Sequence, residues 1–92
     1  MIVSFRCRDT EALAGGRRVR RFGAIEAVAQ RKLRQLQIAG ALEDLRVPPR
    51  NRLEALWGDR AGQHSVWIDD QFRVCFRWTA PGAEDAEIVG DH

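Results

Sequence analysis

The sequence has few of the features that identify several large classes of proteins. It contains two cysteines, Cys7 and Cys75, without the C-x-x-C spacing that is typical of zinc or redox sites. No stretch approaches the roughly 18 apolar residues of a membrane-spanning helix. The charge of Arg6 comes too early for the apolar region of a secretory leader. We therefore expect a cytoplasmic protein with reduced cysteines in its core and no contact with a membrane.

Recognisable metal motifs are also missing. The sequence has no H-E-x-x-H, no paired carboxylates and no Cys/His ligand spacing. A chain of 92 residues, 45% of them hydrophobic, can form one modest core with a groove on its surface, but not a deep cofactor cavity. We expect one domain over residues 1–92 that uses neither a metal nor a cofactor.

The positive charge is carried almost entirely by arginine. Of the 15 basic residues, all but Lys32 are Arg, and residues 1–46 hold ten basic and five acidic groups. Arginine presents a planar fork of donors that matches phosphate, whereas lysine is a point charge. Codon bias in a GC-rich genome would give the same composition. Composition therefore permits a nucleic-acid partner without establishing one.

The first half of the chain is typical of helices. Residues 2–5 (IVSF) predict a short strand, and either Asp9 or Thr10 can cap a short helical turn that Gly15 ends. Apolar residues at helical spacing predict a longer helix over about residues 24–38.

The second half predicts strands in hairpins, over residues 51–56, 64–68, 72–78 and 86–89. In the third strand the aromatic side chains alternate with Arg73, Cys75 and Arg77, so the arginines should lie on the sheet face away from the helices. Arginines there could bind a phosphate backbone or simply keep the sheet soluble. The predicted fold is α+β, with two N-terminal helices packed on a small, twisted antiparallel sheet.

Specific segments carry more information than periodicity. Residues 51–56 (NRLEAL), 58–65 (GDRAGQHS) and 70–76 (DQFRVCF) closely resemble the HigB-type (host inhibition of growth) toxins of the RelE/ParE superfamily. Shorter similarities extend from residues 2–5 to the terminal His92 and cover essentially the whole chain.

This resemblance implies a RelE-like fold and a toxin of a type II toxin–antitoxin system. Such toxins are ribosome-dependent endoribonucleases that cut messenger RNA without a metal and so inhibit translation and growth. The implied partners are the ribosome, its messenger RNA and a HigA-type helix-turn-helix antitoxin, through which the pair contacts operator DNA.

Cleavage through the ribose 2′-OH needs a base, an acid and a cationic clamp for the phosphate. The resemblance assigns Arg73 as the clamp. Arg60 either contributes to the site or holds its turn through Asp59 or backbone carbonyls. His92 is either an acid or base, since imidazole titrates near neutral pH, or an inert end.

The sequence departs from the family at several of these positions. The family usually ends in Asp-Tyr-His, but here Gly90 and Asp91 precede His92, and the chain has no tyrosine. Asp91 would place a carboxylate beside a phosphate that it repels. Glu54 replaces a common histidine, either as a base or as a solvated carboxylate. Trp57 replaces a common lysine, either to stack on a base or to cap the core.

Eight residues are candidates for RNA contacts outside the catalytic group: Arg17, Arg18, Arg20, Arg21, Arg31, Arg34, Trp57 and Arg77. The altered terminus leaves a second interpretation open, a weakened or inactive toxin that acts mainly with its antitoxin at the operator. A ParE-like inhibitor of DNA gyrase is a third, because the superfamily shares its fold and a fold does not fix function.

Overall fold

Two helices cover one face of a four-stranded antiparallel sheet in the computed structural model, which describes residues 1–90. The helices are α1 (Arg8–Ala14) and α2 (Glu26–Ile38). The strands follow in the order β1 (Glu54–Ala55), β2 (His64–Trp67), β3 (Phe72–Thr79) and β4 (Gly82–Gly90). The predicted α+β class, with two helices ahead of an antiparallel sheet, is confirmed.

The core lies between α2 and the sheet. Ala29, Leu33 and Leu36 recur at helical spacing and are buried along one stripe of α2. Against them pack side chains from three neighbouring strands, among them the fully buried Val74 and Phe76. Burying an apolar side chain of this size contributes about 1.5–3 kcal/mol, so this layer holds the helices on the sheet.

The predicted N-cap of α1, Asp9 or Thr10, is wrong. The helix begins at Arg8 with Cys7 at its N-cap position, and Asp9 and Thr10 lie inside the first turn. Both side chains have tertiary partners instead: Asp9 pairs with Arg21 at 2.8 Å, and the Thr10 hydroxyl accepts a hydrogen bond from the backbone N–H of Ile88 at 3.0 Å. These contacts tie α1 to the following loop and to β4.

The other helix boundaries are close to prediction. Gly15 is the C-cap residue of α1, as expected. The chain before α2 forms a 3₁₀ helix, Arg20–Ile25, so the α-helix begins two residues later than predicted, at Glu26. Phe22 and Ile25 of this 3₁₀ turn are buried, which keeps it against the core.

Residues 2–5 do not form the regular strand that their sequence predicts. They run parallel to β4 and make two isolated bridges, to Ala83 and Ala86. Between the bridges β4 bulges at Asp85, whose φ is 55°, and the Asp85 N–H donates to the hydroxyl of Ser4 at 2.9 Å. The bulge interrupts the ladder, because an extra residue breaks the hydrogen-bond repeat.

The strand predicted over residues 51–56 is limited to Glu54–Ala55. Asn51 belongs to a 3₁₀ turn and its side chain is completely buried, and Arg52 has a left-handed backbone with φ 47°. Neither residue can therefore join a β ladder. The last strand is longer than predicted, Gly82–Gly90, because the bulge allows pairing to continue on both sides.

Replacing Gly82 with alanine should disrupt the docking of the first residues. Gly82 has φ 145°, and an added Cβ would overlap the carbonyl oxygen of Met1. We expect Gly82→Ala to lower the free energy of unfolding by about 2 kcal/mol or more, through strain and lost contacts. Denaturant unfolding measures the change. Gly23→Ala is the matched control, because an added Cβ meets nothing within 4 Å there; equal stability of the two variants would contradict the prediction.

Candidate functional site

Side chains from all four strands share the face of the sheet that points away from the helices, which we call the open face. The pairing register places Ser65, Cys75 and Glu87 side by side, and Trp67, Arg73 and Val89 in the next row. Glu54 of β1 pairs with Ser65 on the same face. The alternate residues lie on the core side. The prediction that Arg73 lies away from the helices is confirmed by this register.

Arg73 lies near the start of β3, between Trp67 and Val89 of the neighbouring strands. Its side chain is half-buried, and its Nε atom is buried without a hydrogen-bond partner among residues 1–90. A buried N–H without an acceptor costs about 1–3 kcal/mol. The Arg73 guanidinium is therefore not held by a hydrogen bond from Nε to any group within residues 1–90.

Arg60 reaches the open face from the turn between β1 and β2. The turn is built on two glycines with positive φ, Gly58 at 61° and Gly62 at 90°, a conformation that glycine adopts without steric cost. The Arg60 guanidinium donates to Gln63 at 3.0 Å and pairs with Glu87 at 3.3 Å. Arg60 therefore holds the turn through the Gln63 side chain, and the predicted partners, Asp59 or backbone carbonyls, are wrong.

Cys75 forms the centre of this cluster. It is completely buried although it lies on the open face, since the long side chains around it cover it. Burial raises the pKa of the Cys75 thiol; Arg60 and Arg73 oppose the rise, and Glu87 adds to it. The net pKa is raised, so Cys75 is a neutral thiol beneath two arginines.

Arg77 also extends toward the β1–β2 turn. It is exposed, and its Nη1 lies 2.6 Å from where a Cβ on Gly62 would stand. A Cβ there would displace the end of the flexible Arg77 side chain, and it is the positive φ of Gly62, 90°, that favours glycine. Trp57, in the same turn, is 88% exposed, so the interpretation that it caps the core is wrong. Glu54 is exposed at the edge of the open face.

The remaining predicted RNA contacts lie on the helical side. Arg31 and Arg34 are exposed on α2, where they border a groove of about 770 Å³ between the two helices and the first residues. Arg21 is held by Asp9 and by Cys7, whose sulfur lies 3.3 Å from Nη2. Three further arginines of the loop before α2 are exposed: Arg17, Arg18 and Arg20. The structure thus does not bring these arginines together with Arg73.

Two predicted catalytic residues, Asp91 and His92, lie outside the described residues. The last described residue, Gly90, pairs with Phe72, the neighbour of Arg73 in β3. Within residues 1–90, no three His, Cys, Asp or Glu side chains gather as potential metal ligands. No helix of that part is long and apolar enough to cross a membrane.

Sequence reasoning missed three residues of the open face. Trp67 and Glu87 could have been found by extending the two-residue alternation into the neighbouring strands. Arg52, whose guanidinium carbon lies 4.4 Å from the centre of the Trp67 ring, had no such signal. Its position depends on a left-handed backbone that the tertiary contacts of Asn51 hold.

Comparison with known proteins agrees with the geometry. Residues 16–91 match the family model of the RelE-like toxin of type II toxin-antitoxin system HigB. The chain belongs to this family. It is 44% identical over 55 residues to Toxin HigB-1 of Vibrio cholerae serotype O1. That similarity covers 60% of this chain and 58% of the relative, so the aligned segment is shorter than two thirds of either protein.

The two cysteines should differ strongly in reactivity. Burial alone would raise the pKa of Cys7, but hydrogen bonds from Thr10 and Asp9, with the nearby Arg21, lower it overall. Because the thiolate is the reactive form, iodoacetamide should modify Cys7 of the native protein first and at lower pH. Cys75 should react only after unfolding, and peptide mapping by mass spectrometry distinguishes the sites. Cys7→Ser should abolish the fast reaction; equal rates at both sites would contradict the assignment.

Proposed function

We propose that this chain is the toxin of a type II toxin–antitoxin system and acts in the cytoplasm as a ribosome-dependent endoribonuclease. A HigA-type helix-turn-helix antitoxin would neutralise it and carry the pair to operator DNA. Family membership supports the toxin assignment. The observation that carries the nuclease assignment is the position of Arg73 on the open face, with Arg60 close by on the other side of Cys75.

The proposed reaction requires stabilisation of charge on a phosphate. The ribose 2′ oxygen loses its proton and forms a bond to phosphorus, the bond from phosphorus to the 5′ oxygen breaks, and that oxygen takes a proton. Arg73 would hold the phosphate, since donors fixed before the reaction stabilise developing charge without reorganising. Arg60 is the weaker clamp, because Glu87 already neutralises part of its charge.

Proton transfer needs further groups, for which three candidates remain. Glu54 is exposed at the edge of the open face and could take the proton of the 2′-OH. His92 and Asp91 follow β4, and imidazole is the group best suited to exchange protons near neutral pH. The RNA strand would bind across the open face, and the exposed Trp57 offers a ring on which a base could stack.

Arg73→Ala should abolish messenger RNA cleavage in a purified translation system. The loss should be about 100-fold or more, comparable to removal of a donor that stabilises a transition-state oxyanion. Nε loses no hydrogen-bond partner within residues 1–90, and a thermal melt of the variant checks that it remains folded. Arg8→Ala, an exposed arginine of α1, is the control and should cleave normally. Mapping of RNA 5′ ends measures the effect.

The same two proteins, expressed in cells without antitoxin, distinguish the alternatives. New 5′ ends within translated codons that persist in Arg73→Ala would contradict the clamp. Growth arrest with intact messages and loss of DNA supercoiling would instead support a gyrase inhibitor. Normal growth with intact operator binding would support a toxin that has become a corepressor.

One sequence feature favours weakened activity, namely Gly90 and Asp91 where the family usually has Asp and Tyr. Restoring that pair, by Gly90→Asp with Asp91→Tyr, should increase growth inhibition, because it moves the carboxylate from position 91 to position 90 and adds a phenol beside His92. Colony counts after induction without antitoxin measure the change. Strong toxicity of the unmodified chain, unchanged in the double variant, would show that the altered terminus is no handicap.

A further inference from the structure

We propose that Arg52 and Trp67 form a nucleotide subsite on the open face, in which the guanidinium of Arg52 stacks on the base next to the phosphate held by Arg73. The subsite deepens the proposed ribonuclease function and rests on it. The central guanidinium carbon of Arg52 lies over the Trp67 ring, 4.4 Å from the ring centre. Trp67 is the direct cross-strand partner of Arg73.

The spacing suits neighbouring parts of one RNA strand. Side chains directly across an antiparallel pair have Cβ atoms about 5 Å apart. A ligand group stacked above Trp67 is therefore next to a group bound by Arg73, with the Arg52 plane between the ring and the ligand. Arginine planes and aromatic rings both stack on the splayed bases of single-stranded RNA.

The fold holds Arg52 in this position through its backbone. Arg52 has φ 47°, unusual for a residue with a side chain, and follows a 3₁₀ turn in which its N–H donates to Pro49 at 3.1 Å. The preceding Asn51 is completely buried and donates to Gln35 and to the Leu45 carbonyl, both at 3.0 Å. The side chain is therefore presented from a rigid base.

A buried lysine completes this support. Lys32 of α2 is 7% exposed, and its ammonium donates to the Asn51 side chain at 2.6 Å. Placing a charge there is costly in the interior. Hydrogen bonds with Lys32, Gln35 and Leu45 thus fix Asn51, the residue before Arg52. An arginine with no role beyond solubility would not need a neighbour held in this way.

The charges around the pair favour a base over a phosphate. Within residues 1–90, the ion pairs do not include Arg52, so its N–H donors are free for a ligand. An acidic residue, Glu54, lies on the same face, and its partner Ser65 is two residues from Trp67. A carboxylate at that distance repels phosphate but not a neutral base. Arg52 thus suits base stacking, and Arg73 suits the phosphate.

The test measures binding of a single-stranded RNA dodecamer of mixed sequence whose 2′-OH groups are methylated, so that it cannot be cut. Arg52→Ala should weaken binding about fivefold or more, the effect of losing one base stack. Arg52→Lys keeps the charge and loses the plane, so its salt dependence should match the unmodified protein while its affinity stays low. Trp67→Ala should resemble Arg52→Ala.

Arg50→Ala is the matched control, because Arg50 is an exposed arginine of the same 3₁₀ turn. It should bind within about twofold of the unmodified protein, since it removes a similar charge without a stack. Thermal melting of every variant checks that the fold is intact. If Arg52→Lys binds as tightly as the unmodified protein, or Arg50→Ala loses as much as Arg52→Ala, the subsite is wrong and only charge attracts the RNA.

A cleavage assay in the purified translation system separates this inference from the proposed function. If the unmodified protein binds RNA through Arg52 but cuts no message, the subsite stands and the nuclease assignment fails. If it cuts messages and Arg52→Ala leaves both binding and KM unchanged, the nuclease stands and the subsite fails. Failure of the unmodified protein to bind the dodecamer even at low salt would also overturn the subsite.

Discussion

The hydrogen bond between the buried Lys32 ammonium and Asn51 joins the helical layer to the segment that enters the sheet. Burial lowers the pKa of Lys32, and Arg31 and Arg50 add to that effect. An ammonium removed from water is costly unless hydrogen bonds compensate it. Asn51 supplies that compensation and uses its amide to bind α2 and the preceding turn. The direction in which the chain enters β1 therefore depends on the contacts of Asn51 with Lys32, Gln35 and Leu45.

The register of β3 then determines what each face of the sheet presents. Because side chains alternate with a period of two, the register that buries Val74 and Phe76 under α2 also places Arg73 and Cys75 on the open face. A slip of one residue would exchange these sets and bury a guanidinium in the core. The hydrophobic core and the site are thus two consequences of one pairing, and neither can change independently.

Much of this arrangement could be predicted from local patterns. The α+β class, both helices and the face that carries Arg73 follow from periodicity and from glycine positions. The partners of Arg60 could not, because Gln63 and Glu87 meet it through a tertiary turn. Arg52 escaped notice because its backbone departs from the strand pattern that residues 51–56 suggest. Contacts between residues distant in the chain determine the positions of Arg60 and Arg52, and such contacts cannot be predicted from local propensity.

The separation of basic residues between two sides of the molecule has a physical consequence for the proposed function. The chain measures 31 by 26 by 25 Å, and Arg31 and Arg34 lie on the layer opposite the open face. A short single strand that occupies the open face does not reach both layers. An RNA assembly large enough to surround the chain can contact both layers. Each additional phosphate contact then strengthens the binding of the chain to that RNA at low salt. The helical arginines would then supply affinity for the large partner. Arg73, which lies between Trp67 and Val89 on the sheet, would bind one phosphate of the message. Since those two tasks use different surfaces, loss of one should leave the other measurable.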